Sequence, residues 1–246
     1  MTLEQMLLVF CGALAGGFVN GLTVFDTGIT AMGLWRHAVS PAVAASLVVV
    51  CSLVAQMQNV GLVWRSIDWR RTLAFVVPGL AGVPLGTWLV PHSGADAFKA
   101  GVGAFLLVFP GWVLARPAET RGTDAGGRAA DAIVGFGGGV LGGFAGISGV
   151  LNVIWTGLRR WSKAERRSVI QTFNLTILVM ALASHGAAGL LTRDVGIATL
   201  AALPGTIGGA WAGALVYRRL GDAGYQRAVM VLLLDAGVGL VWSALA

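Results

Sequence analysis

Charge is what this sequence has least of. Asp, Glu, Lys and Arg make up 11% of its 246 residues, where a soluble domain carries about a quarter. With 56% hydrophobic residues and a mean hydropathy of +0.79, that shortage excludes a chain whose main solvent is water. Cysteine is almost missing: Cys11 and Cys51 lie in separate apolar runs and form no CxxC. Neither a disulfide framework nor a metal site is therefore expected. There is no GxxxxGK[ST] for a nucleotide-driven pump and no HExxH for intramembrane hydrolysis. The opening MTLEQMLLVF lacks the basic stretch of a signal peptide, so the first apolar segment is expected to stay in the mature protein. The net charge is +6, but the basic residues are scattered through short loops. Without a long basic face, nucleic acid is excluded as a partner.

What is present is hydrocarbon of membrane length. Crossing a bilayer core takes about 20 apolar residues, and eight hydrophobic segments are found, near 3–34, 42–64, 72–90, 98–115, 132–157, 168–192, 195–216 and 226–246. Residues 116–131, RPAETRGTDAGGRAAD, form the one sizeable polar stretch and read as a linker. It separates a first repeat, 1–115, from a second, 132–246. A shift of 126 residues lays Gly16-Gly17-Phe18 on Gly142-Gly143-Phe144, Trp35 on Trp161 and Asp68 on Asp194. In the same register Pro78-Gly79 falls on Pro204-Gly205 and Asp96-Ala97 on Asp222-Ala223. Coincident Trp, Asp and Pro-Gly positions mark a true internal repeat of the kind used by transporters.

Loop charge sets the sense of the repeat. If all eight segments cross, Lys and Arg divide 7 against 10 between the two sides. If segment five enters and leaves on one side, they divide 14 against 3, which satisfies the positive-inside rule. Segment one, its repeat partner, is given the same conformation. The expectation is an all-α integral membrane protein, multi-pass in the inner (plasma) membrane. It has two inverted repeats, each a glycine-broken (re-entrant or hairpin) segment plus three transmembrane helices, with the two hairpins dipping in from opposite sides.

Polar residues inside these segments are the candidate site. The second broken segment reads GFGGGVLGGFAGISGVLNVIWTGL, with the break at Gly146, Ile147, Ser148 and Gly149. Irregular backbone at membrane depth is tolerated where it lines protein or water, and freed amides at a helix N-terminus suit an anion. Ser148 and Asn152 add neutral donors. In the first repeat Asn20 and Thr23 align near Gly146 and Gly149, and Asp26 aligns with Asn152. The alternative is that the glycines only permit close helix packing. Gln171, Asn174 and His185 share one helical face, with Gln171 and Asn174 as pathway residues and His185 as a structural or interfacial one. Asp26 and Asp235 are acids within apolar segments. An unpaired carboxylate in lipid favours its protonated form, so Asp26, at a break, is the proton-coupling candidate. The basic run Arg159 to Arg167 is expected to anchor the chain at anionic lipid, and Pro78 and Pro204 to kink the third helix of each half.

The stretch GFGGGVLGGFAGISGV, followed by a basic loop and QTFNLTIL, resembles the sulfite exporter family TauE/SafE over nearly the whole chain. The resemblance implies movement of sulfite, sulfonates or related small organic anions across the inner membrane. It also implies substrate contact at the glycine-rich segments, here Gly16 to Asp26 and Gly142 to Asn152. The expected function is thus a secondary carrier, an exporter of a small anion by alternating access with proton coupling. The substrate would be bound by Asn20, Thr23, Gly146, Ser148, Gly149, Asn152, Gln171 and Asn174. No cofactor is expected, and a homodimer is left open. The competing classes are an anion channel and an intramembrane enzyme, the latter resting on a Ser148–His185 dyad.

Overall fold

A computed structural model describes residues 1–24, 27–35, 37–62, 67–89, 126–145, 148–159, 161–187 and 189–245. Among the described residues the regular structure is entirely helical. The helices are α1 (Leu3–Thr23), α2 (Thr27–Trp35), α3 (Pro41–Asn59, continued by a 3-10 turn, Val60–Leu62), α4 (Trp69–Leu89), α5 (Gly127–Ala145), α6 (Gly149–Leu158), α7 (Lys163–Ala187), α8 (Arg193–Arg219) and α9 (Asp222–Leu245). Three of them, α1, α7 and α8, are long and apolar enough to cross a bilayer. Large apolar side chains such as Leu7, Phe18, Leu200 and Trp211 are exposed, as expected of a membrane protein. Expected segment 98–115 lies outside the described residues.

Local chemistry fixes the helix starts. Thr2 and Gln5 form a capping box: the Thr2 hydroxyl accepts from the Gln5 amide at 3.3 Å, and the Thr2 amide donates to the Gln5 side chain at 2.9 Å. Ser40 caps α3, and Pro41, whose missing N–H costs nothing at that position, opens it.

The chain divides into two compact units. Unit one holds residues 1–67 and 171–219; unit two holds 68–170 and 220–246. These units interleave the sequence halves. In unit one α1, from the first half, packs on α8, from the second; in unit two α5, from the second half, packs on α4, from the first. Small residues bring the backbones together. A Cβ on Gly21 would collide with the Ala210 backbone, and one on Gly139 with the Gly79 backbone. These glycines therefore have a packing role. Contacts rise together along both members of each pair, as in Phe10–Gly205, Leu14–Gly209 and Phe18–Gly213, so α1 and α8 run parallel. Pro78 and Pro204 sit in the middle of α4 and α8, not at their starts.

Each glycine-broken segment is a helical hairpin. Unit one folds α2 back along α1, with Thr27 and Ala31 against Gly16 and Trp35 against Gly12. The Trp35 indole clasps the hairpin by donating to the Val9 carbonyl at 2.9 Å. Unit two folds α6 back along α5 and clasps it with charge. Arg159 and Asp131 are 5% and 8% exposed and form an ion pair at 2.7 Å. The Trp155 indole donates to the same carboxylate at 2.7 Å, and the guanidinium lies over the Trp155 ring, 4.7 Å from its centroid. Arg159 and Arg167 are both buried. This corrects their expected part in a lipid anchor: both side chains are buried, and Arg159 turns onto Asp131 instead of toward a lipid headgroup.

Within unit one, α3 and α7 are equivalent under the 126-residue shift, yet they run antiparallel. Ser46 meets His185 at 3.1 Å, while Gln171 meets the Gln56 carbonyl at 2.9 Å near their opposite ends.

Candidate functional site

The two breaks lie at the same repeat position. In the first half α1 continues through Asn20-Gly21-Leu22-Thr23 before it stops. The equivalent residues of the second half are Gly146-Ile147-Ser148-Gly149, of which Ser148 takes the N-cap position of α6 and Gly149 is its first residue. The consequence is chemical. The polar side chains of the first break sit on the C-terminal end of the long arm, and those of the second on the N-terminal end of the short arm. Helix C-termini are electronegative and N-termini electropositive.

At the first break Val24 ends α1 in the left-handed conformation, φ 62° and ψ 12°. A β-branched residue there costs about 1–3 kcal/mol, and surrounding bonds hold it. The Val24 amide donates to the Asn20 carbonyl at 2.7 Å. Its carbonyl accepts from Asn174 at 2.9 Å and from Gln56 at 3.2 Å. Gln171 donates to the Gln56 backbone carbonyl at 2.9 Å, and Asn20 donates to the Thr27 hydroxyl at 3.1 Å. Thr23, fully buried, donates to Val19 at 2.8 Å within its own helix. Unit one thus gathers the expected residues Asn20, Thr23, Gln171 and Asn174 around one strained carbonyl. Three amide oxygens of this cluster, on Asn20, Gln56 and Gln171, are buried without a hydrogen-bond partner. An orphaned buried acceptor costs about 1–3 kcal/mol.

At the second break Ser148 occupies the N-cap position of α6, but its side chain makes no capping bond. Gly149 is buried. Asn152 is 0% exposed, and neither its Oδ1 nor its Nδ2 has a hydrogen-bond partner. It stands at the N-terminal end of a ten-residue helix whose first amides have no partner inside the helix.

Asp26 and Gly146 lie outside the described residues. His185 is bonded to Ser46, and Asp235 is on an exposed face of α9. Sequence reasoning did not place Gln56 among the site residues, although at 1% exposure in an apolar helix it is buried. It also missed the Asp131–Arg159 pair, because Asp131 was assigned to the linker and Arg159 to a loop. Among the described residues no three His, Cys, Asp or Glu side chains group as metal ligands.

A family model described as sulfite exporter TauE/SafE matches residues 8–240. No curated protein and no solved structure gives a significant match. The chain belongs to the sulfite exporter TauE/SafE family, whose members are membrane transporters of sulfite and related sulfur-containing anions rather than enzymes.

Proposed function

From that membership we propose that the protein is a secondary carrier that exports a small sulfur oxyanion or organosulfonate across the inner membrane, with the anion held at the second break. The observation that carries this reading is Asn152: a fully buried amide with no partner at either polar atom, set on the electropositive end of α6. Ser148, at the N-cap position, and Gly149, with its side-chain-free backbone, lie on the same turn. Neutral donors and a helix dipole bind an anion without a fixed cation. They also release it readily, as a carrier must. The antiparallel run of α3 and α7, which are repeat equivalents, supports inverted repeats and hence alternating access. In this scheme Asn20, Thr23, Gln171 and Asn174 serve the same transport cycle from unit one. Asp26 couples it to protons, so Asp26→Asn removes the pH dependence of uptake.

Sulfite counterflow into proteoliposomes tests the proposal. A carrier gives saturable counterflow, and Asn152→Ala weakens its half-saturation about tenfold, the equivalent of one charge-assisted hydrogen bond, with expression retained. Flux that rises linearly without counterflow makes the protein a channel. Unchanged half-saturation in the variant removes the site.

A further inference from the structure

We infer that the first break is a binding site for a small monovalent cation, and that sodium is the ion it takes. Three observations on unit one carry this.

The first is the set of orphaned acceptors. Asn20 Oδ1, Gln56 Oε1 and Gln171 Oε1 belong to side chains 2%, 1% and 0% exposed, and none has a hydrogen-bond partner. For the two glutamines the amide orientation is dictated. Gln56 Nε2 faces the Val24 carbonyl, and Gln171 Nε2 faces the Gln56 backbone carbonyl. Those partners only accept, so the nitrogen must point at them and the oxygen must be the atom left over.

The second is connectivity. Gln56 bonds directly to Val24, Gln171 bonds to the Gln56 backbone, and the Asn20 carbonyl holds the Val24 amide. The three oxygens thus belong to one bonded cluster around the left-handed residue that ends α1. The C-terminal end of a 21-residue helix adds negative potential there. Half-helix C-terminal ends and unwound carbonyls are where sodium sits in carriers built from broken helices.

The third is what the donors cannot hold. Amide oxygens are not bases at physiological pH, so they cannot store a proton as a carboxylate does. Divalent ions want carboxylates, and among the described residues no acidic cluster exists. An anion would meet three acceptors and be repelled. A dehydrated alkali cation needs neutral oxygens of this kind.

The inference goes beyond the anion proposal and does not rest on it. The test uses the full chain, purified in detergent without any anionic substrate, at fixed pH, in sodium chloride or choline chloride of equal ionic strength. Saturable binding of radioactive sodium is expected, together with a higher melting temperature in sodium than in choline. Replacing one oxygen, by Gln171→Met or Gln56→Met, weakens sodium binding about tenfold. Absence of saturable binding with equal melting temperatures in the two salts overturns the site and leaves water as the partner of these oxygens. The wild-type comparison decides the matter even if both variants fail to fold. If sulfite counterflow fails while sodium still binds, the anion proposal falls and this one stands; the reverse result removes the sodium site alone.

Discussion

The first and second breaks are the same structure made twice with opposite chemistry. Both are helical hairpins with a long arm, a break and a short returning arm. In the first, the polar side chains lie before the break and leave carbonyl oxygens over. In the second, they lie after it, on a helix start, with an amide wholly uncommitted. The polar groups thus sit at an electronegative helix end in the first break and at an electropositive one in the second. The clasps differ in the same way: a neutral indole–carbonyl bond closes the first hairpin and a buried ion pair the second. A gene duplication followed by a few substitutions would be enough to give the two sites proposed above different charge preferences.

The clasps offer the largest test of this contrast. Asp131→Ala leaves Arg159 buried without its carboxylate and takes the acceptor from Trp155. Removing one member of a buried pair costs about 3–5 kcal/mol. Unfolding in detergent, followed by helical signal against temperature or denaturant, should show that loss. A change below about 1 kcal/mol, the size of an exposed pair, would mean the second clasp is no stronger than the first.

A smaller effect sharpens the contrast at the breaks themselves. Asn20→Gly combined with Thr23→Gly gives α1 the glycine spacing of the second half. Two glycines in a helical turn and the lost Asn20–Thr27 bond cost about 2 kcal/mol. If propensity sets the position of the break, α1 then stops one turn earlier. Amide hydrogen exchange at residues 20–23 should rise sharply while α5 and α6 are unchanged. Persistent protection of that turn would show that tertiary contacts, not glycine content, decide where the helix ends.

Much of this was legible in the sequence, because apolar length and the 126-residue echo are strong signals. The helices long and apolar enough to cross a bilayer, α1, α7 and α8, fall within the apolar segments that hydropathy marked. Identity at a repeat position was a poorer guide to the work done there. Trp35 aligns with Trp161, but the clasp of the second hairpin is Trp155, and Trp161 instead lies beneath Arg71, 5.2 Å from its ring centroid. Charge near a segment end was misread for a physical reason. A residue such as Arg159 is long enough to turn back along the helix and meet Asp131, so a loop position in sequence becomes an interior one in space. The acceptor cluster was hidden because orphaned oxygens are a property of bonding direction, which no residue pattern encodes.

The smallest effect completes the comparison of the clasps. Trp35 is fully buried and packs on Gly12, and its indole N–H donates to Val9. Trp35→Phe keeps an aromatic ring in that space and removes the indole N–H. Because the Val9 carbonyl lies inside α1, where it also serves the helix ladder, losing this second donor does not orphan it. The cost should be that of one neutral hydrogen bond, about 1 kcal/mol. The same denaturation measurement as for Asp131→Ala reads it. A loss several times larger would place the strength of the first hairpin in its tryptophan as firmly as that of the second lies in its ion pair. The two halves would then differ only in the ligands their breaks are built to hold.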